Sequence, residues 1–259
     1  MRRINKGGFG MYKLWNELQE AKNYKWVDLS HEMSNESPYW SGIPEGSVEL
    51  GKVLFDWGNP MLECRIQSFR FPGQFGTHID FPAHFDKNGV FAESFKPQCF
   101  PLCVVDITEK VKENPVYCVT VDDLKAYEAQ YGEIPEGAFV ALRTDWGKNW
   151  PDMAKMSGIA EDGSENFPGW SLEAIEYIYE VRHAAANGHE TLDTDGSAEC
   201  AKRGDLACER YVLEHGHIQV EVLNNLWELP AAGAVVFAAW PNFKGANGLP
   251  CRIFAVCES

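Results

Sequence analysis

An α/β protein is the expected fold, and three observations predict it. Residues Gln74 to Phe85 alternate polar and apolar side chains with the period of an extended strand. Thr120 to Gly132 carries the start and stop signals of a helix. Ala138 to Thr144 and Gly233 to Trp240 are compact apolar runs of the kind that fill a sheet. Strand-like and helix-like segments interleave along the 259 residues, the pattern of a sheet with helices packed against it.

Taken in order, residues 1–23 have helical character only around Tyr12 to Ala21, expected on the outside of the fold or against a second subunit. Residues 1–25 therefore read as an N-terminal extension and 26–259 as a single domain. Trp26 to Met33 is a short strand ending in polar residues, and Trp40-Ser41-Gly42-Ile43-Pro44 is a turn. Leu62 to Phe71 is a strand closed by Pro72-Gly73, and Leu102 to Ile107 is the next. Thr120 and Asp123 make a capping-box-like helix start, which Gly132 closes. Ala138 to Thr144 runs into Arg143-Thr144-Asp145-Trp146. From Gly147 to Phe167 no period emerges, so this is a long loop, either a pocket cover bearing Trp146, Trp150 and Met153 or a plain surface excursion. Ser171 is the expected N-cap of a helix with Leu172, Ile175, Ile178 and Tyr179 as its apolar stripe, ended by Asn187-Gly188. Residues 196–208 are small, polar and charged, and are expected to be mobile. His217, Gln219 and Glu221 alternate with Ile218, Val220 and Val222, again a strand. Gly233 to Trp240 and Gly245 to Val256 are two apolar strands joined by a Pro-Asn turn.

Composition narrows the function. A net charge of -15 opposes binding to nucleic acid or to an anionic membrane surface, both of which call for a basic patch. The basic N-terminus lacks the apolar run of a signal peptide, and no apolar segment is long enough to span a bilayer. Eight scattered cysteines without a CxxC read as reduced thiols, consistent with a cytoplasmic enzyme.

The chemistry concentrates in the Gln74 to Phe85 stretch. Extended, it sends Gln74, Gly76, His78, Asp80, Pro82 and His84 to one face, opposite an apolar one. Two imidazoles and a carboxylate beside a glycine fit a metal site; a polar strand face with satisfied hydrogen bonds fits the same spacing. His189-Glu190 opens like a zinc-protease HExxH motif, but no second histidine follows at the required place. No Gly-x-Ser-x-Gly nucleophile elbow occurs.

Gly76, Thr77, His78, Asp80, Pro82 and His84 fall in register with His-x-Gly-Thr-His-x-Asp-x-Pro-x-His, and the chain thereby resembles the cyclase family, which includes kynurenine formamidase and isatin hydrolase-like metal-dependent hydrolases. Asp28-Leu29-Ser30-His31 and Gly248-Leu249-Pro250-Cys251-Arg252 extend the resemblance from about Trp26 to Val256. It implies a swivelling β/β/α fold with a mixed central sheet and flanking helices, and a homodimer or homotetramer. It also implies a divalent metal site, one or two ions of Mn or Zn, held by Gln74, His78, Asp80, Glu209 and Glu221. Gln74 and Glu209 stand where the family pattern has histidine. Two oxygen donors in place of imidazoles tilt the set from Zn toward Mn. By the same resemblance His84 is the catalytic proton carrier, Trp40 is a substrate contact, and His189 either contacts substrate or caps a turn. The implied activity is hydrolysis of the C-N amide bond of an aryl formamide or cyclic amide. The alternatives are a cyclase or lyase acting on a non-amide substrate, and a non-catalytic small-molecule binding protein of the same fold.

Overall fold

A computed structural model describes residues 12–40, 42–61 and 63–258. Ser41 of the expected turn, Leu62 at the start of an expected strand, and residues 1–11 of the N-terminal extension lie outside them. In chain order the strands are β1 (Lys25–Asp28), β2 (Glu49–Phe55), β3 (Ile66–Arg70), β4 (His78–Asp80), β5 (Gln98–Asp106), β6 (Cys118–Val119), β7 (Phe139–Arg143), β8 (Gly169–Trp170), β9 (Ala186–His189), β10 (Ile218–Glu221), β11 (Ala234–Ala239), β12 (Gly248–Pro250) and β13 (Arg252–Cys257). The helices are α1 (Lys13–Glu20), α2 (Thr108–Glu113), α3 (Val121–Tyr131), α4 (Met153–Met156), α5 (Leu172–Glu176), α6 (Ser197–Arg203) and α7 (Ala207–Glu214).

Nine strands form one mixed sheet in the order β1-β13-β11-β5-β7-β9-β10-β4-β12. Its centre, β5-β7-β9-β10, is parallel, and the pairs on either side are antiparallel. Alternation along the strands divides the core in two. Val105, Val140 and Leu142 meet Leu124 of α3, Ile175 of α5 and Val212 of α7 on the helix-covered face. Val104, Phe139 and Ala141 on the other face meet Ile79, Phe81, Leu223 and Leu249 in a second cluster. Parallel strands covered on both faces account for the unbroken apolar run at Ala138–Leu142.

Helix α3 begins as expected, with reciprocal hydrogen bonds between Thr120 and Asp123, and α5 starts with Ser171 Oγ accepting from the Ala174 amide. Four expectations need correction. The 74–85 stretch is a strand only over three residues, because Gly76 takes a left-handed φ of 61° and Pro82 opens a 3₁₀ turn through His84. Asn187-Gly188 does not end the preceding helix. It lies inside the buried strand β9, where a Cβ at Gly188 would stand 2.6 Å from the Phe139 ring and 2.8 Å from Leu223. Residues 196–208 are not a loose segment but contribute α6 and the start of α7. The buried Asp195 carboxylate accepts the Cys208 and Glu209 amides, and Gly204 closes α6 in a left-handed conformation. The last expected strand is divided at Cys251 into β12 and β13, of which β12 pairs with β4 rather than with β11.

Outside the main sheet, β6 and β8 pair in parallel, and two further segments expose apolar side chains. The β2-β3 hairpin, of which β2 had no counterpart in the sequence reading, carries exposed Leu54, Phe55, Ile66 and Phe69. The apolar side chains of α1, including Leu14 and Trp15, are likewise exposed.

Candidate metal centre

The antiparallel pairing of β4 with β10 builds the centre. Its register sets His78 opposite Glu221 and Asp80 opposite Gln219. Residues two apart on one strand share a face, and directly opposed residues are neighbours, so these four side chains converge. Ligand atoms of His78, Asp80 and Glu221 lie within 4.8 Å of one another, all buried. His78 Nε2 is 3.4 Å from Asp80 Oδ2 and 3.3 Å from Glu221 Oε2.

The imidazole is oriented from behind. Its Nδ1 lies 2.9 Å from the Gly76 carbonyl, which only a protonated Nδ1 can satisfy. Nε2 is then a buried nitrogen without a hydrogen-bond partner among the described residues, directed at two carboxylates. Burial by itself lowers the His78 pKa, but Asp80 and Glu221 override it and raise it well above its ordinary value. Burial likewise works to raise Glu221, and the adjacent His189 and His78 rings prevail, holding its carboxyl at about 2. An imidazole nitrogen and two carboxylates within 4.8 Å of one another are a donor set that fits a divalent cation.

Amides and hydroxyls surround that trio. Gln74 Nε2 donates to Asp80 Oδ1 over 3.0 Å, and a Cβ at Gly248 on β12 would stand 2.0 Å from that same nitrogen. Gln219 Nε2 donates to Glu221 Oε1 over 3.0 Å, while its Oε1 accepts from Thr194 Oγ1 over 2.7 Å. His189 is fully buried, with its ring nitrogens 2.9 Å from Thr191 Oγ1 and 3.1 Å from Thr194 Oγ1. Its Nε2 is also 3.5 Å from Glu221 Oε1, so it braces that carboxylate from the protein side. β9 carries the side chain inward, onto the face that bears Glu221.

The other expected residues stand around this core. Glu209 projects from the first turn of α7 toward the 3₁₀ turn, where its Oε1 is 3.6 Å from His84 Nε2. Burial, then the nearby Glu221 and Asp80, raise the Glu209 pKa well above the ordinary carboxylate range. His84 retains partial exposure, with 27% of its side chain open to solvent. Trp40 is 70% exposed, its indole lying over Gly42, where no Cβ would fit. His217 lies outside the cluster and stacks on Tyr179 at 3.9 Å.

Sequence reasoning did not single out Gln219, Thr194 or Asp193 as parts of the site. Gln219 was visible in the same alternation as Glu221. Asp193 is raised to about 7 by burial and by Glu221 and Glu165 nearby, and no local pattern marks it.

The chain is similar to proteins of one known family. The Cyclase family profile matches residues 27–196. The isatin hydrolase of Roseibium aggregatum is 30% identical over 187 residues, covering 70% of each chain. Isatin hydrolase A from Labrenzia aggregata, solved with benzyl benzoate, superposes with a TM-score of 0.83 at 26% identity over 96% of this chain and 100% of that one. Isatin hydrolase A from Ralstonia solanacearum gives a TM-score of 0.82 at 29% identity over 99% of this chain and all of its own. With the motif in register, the fold shared end to end and a His-Asp-Glu cluster where the motif meets β10, the chain belongs to the cyclase family, as an isatin hydrolase-like enzyme of hydrolase type.

Proposed function

We propose that this protein opens a cyclic aryl amide of the isatin type by hydrolysis of its C-N bond, using a divalent metal held by His78, Asp80 and Glu221. The observation that carries this reading is the convergence of those three ligand atoms within 4.8 Å on the β4-β10 pair. Similarity to isatin hydrolases over nearly the whole fold supports the substrate class. An oxygen-rich set with one imidazole favours Mn over Zn. Bound there, the ion supplies Lewis acidity and brings the pKa of a water ligand to about 7.

The chain's own residues do the rest. Asp80 and Glu221 offset the cation's charge, and Gln74 and Gln219 fix the carboxylates by donating to them. In this reading His84, whose Nε2 is partly exposed and 3.6 Å from Glu209 Oε1, takes a proton from the attacking water and returns it to the leaving nitrogen. One water is consumed: its oxygen bonds to the carbonyl carbon, the C-N bond breaks, and the nitrogen leaves as an arylamine on the same molecule as the new carboxylate. Because the ring opens without losing a fragment, product appears as a single species.

The test is elemental analysis of protein purified without added metal or chelator, followed by assay on isatin and on a formanilide. One equivalent of Mn with ring opening of isatin outpacing formanilide cleavage is the expected result. Asp80→Ala should lose both metal and turnover. Metal-replete protein that cleaves formanilide faster than isatin would move the substrate class to open-chain amides, and failure to bind any divalent metal would remove the hydrolytic reading.

A further inference from the structure

A second buried polar cluster has no part in the hydrolytic chemistry above. Glu190, at the end of β9, is completely buried, and its Oε2 accepts the Thr144 amide at 2.6 Å and the Thr144 hydroxyl at 2.9 Å. Its Oε1 has no hydrogen-bond partner among the described residues. His31, in the loop after β1, is 8% exposed, and its Nε2 is likewise unpartnered. The two unpartnered atoms lie near the same glycine. A Cβ added at Gly147 would stand 3.5 Å from Glu190 Oε1, 3.5 Å from His31 Nε2 and 2.8 Å from the Leu223 carbonyl oxygen.

Buried polar atoms left unpaired cost about 1–3 kcal/mol each, which makes two at one point improbable without a shared partner. They do not hydrogen-bond each other, yet both lie close to one glycine. A carboxylate oxygen, an imidazole nitrogen and a carbonyl oxygen around a side-chain-free backbone provide the two to four polar contacts that a buried water requires. We propose that Glu190 Oε1, His31 Nε2 and the Leu223 carbonyl bind one structural water at Gly147, and that Glu190 and His31 are positioning residues for the wall beside the metal centre.

The link to that wall is continuous. The His31 ring stacks on Trp150 with centroids 4.8 Å apart, and Trp150 Nε1 donates to the Glu32 carbonyl over 3.1 Å. The Trp150 ring lies 3.9 Å from where a Gly76 Cβ would stand, and the Gly76 carbonyl holds His78 Nδ1. The water thus ties together the segments that follow β1, β7, β9 and β10, and through His31 it fixes a tryptophan next to the metal-ligating histidine. The water site stands independently of the proposed substrate; only the kinetic readout below rests on that reading.

High-resolution crystal structures of the metal-loaded wild type, His31→Phe and Glu190→Gln test this. The wild type should show one solvent peak at about 2.7–3.2 Å from all three atoms. Glu190→Gln should keep the peak, because its amide oxygen can take the Thr144 bonds while its NH2 donates to the water. His31→Phe preserves a ring against Trp150 but removes the nitrogen, and should lose the peak while raising KM for isatin several-fold at unchanged metal content. A wild type with no peak, a direct Glu190-His31 hydrogen bond, or a peak at the roughly 2.0–2.4 Å of a coordinated cation overturns the proposal. So does a peak that persists in His31→Phe, or an unchanged KM after its loss. If the wild type turns over no amide, the crystallographic outcomes still decide the water site.

Discussion

His78 and His31 are both buried and both lie near a buried carboxylate, yet the fold drives them in opposite directions. At the metal centre two carboxylates crowd one imidazole, so His78 is raised well above its ordinary value and Glu221 is held down at about 2. Beside Gly147 the desolvation cost wins instead. Burial lowers His31 to about 4 against the opposing effect of the Leu223 backbone, and it raises Glu190 to about 7 against its hydrogen bonds from Thr144. The difference lies in charge count and register. On β4 and β10 the opposed positions repeat acid against imidazole and amide, giving an excess of negative charge that a cation completes. Around Glu190 the hydrogen-bond partner is Thr144 and the nearby charge is that of Asp145, so burial and a like charge bring the group toward neutrality.

The strongest way to break this contrast is to remove charge from the metal centre. Asp80→Ala should abolish both bound metal and turnover, as set out above, whereas Glu190→Ala, equally buried, should leave the metal stoichiometry intact. A parallel loss of metal from both would erase the distinction. Next in size is His84→Ala, which should retain full metal content while kcat falls by about 10²–10⁴-fold, the usual contribution of a positioned acid-base group. Elemental analysis alongside steady-state kinetics separates these two cases. A smaller effect is expected where the ligands are only braced: Thr194→Val or Gln219→Ala should weaken metal affinity by about 10–100-fold, measured by competition with a chromogenic chelator. Unchanged affinity in both would mean that Glu221 needs neither partner to hold its orientation.

How much of this was legible in the sequence follows from how local each feature is. The metal motif is contiguous, so His78 and Asp80 stood out in the period-2 spacing, whereas Glu221 came from the family resemblance and the alternation at Ile218–Glu221 marked only its strand. Gln219 was equally visible, but its importance comes from lying opposite Asp80, which is a matter of strand register. Asn187-Gly188 has the composition of a turn on any local reading. It becomes a strand because Phe139 and Leu223 close over Gly188, and this carries His189 inward to Glu221. The start of α7 was hidden for a similar reason, since the carboxylate that accepts its first amides is Asp195, well upstream of the helix. His31 and Glu190 meet only in the folded chain.

The subtlest expectation concerns the Gly147 cluster alone, where two opposing pH dependences overlap. Glu190 has a folded pKa of about 7 against 4.5 for the free side chain, so the native state binds more protons over that interval and its contribution to stability is lost as pH rises through it. His31 has a folded pKa of about 4 against 6.5, so the unfolded state binds more protons and its contribution grows as pH rises from about 4 to 6.5. In the wild type the two slopes largely cancel. Glu190→Gln removes the falling slope, so its stability relative to wild type should improve between pH 4.5 and 7. His31→Phe removes the rising slope, so its relative stability should decline between pH 4 and 6.5. Thermal denaturation of the three proteins across that range should show differences of a few degrees in Tm with opposite signs. Because the water proposed at Gly147 touches both groups, the double variant should return close to the wild-type pH dependence, and slopes of the same sign in the two single variants would show that burial does not govern this pair.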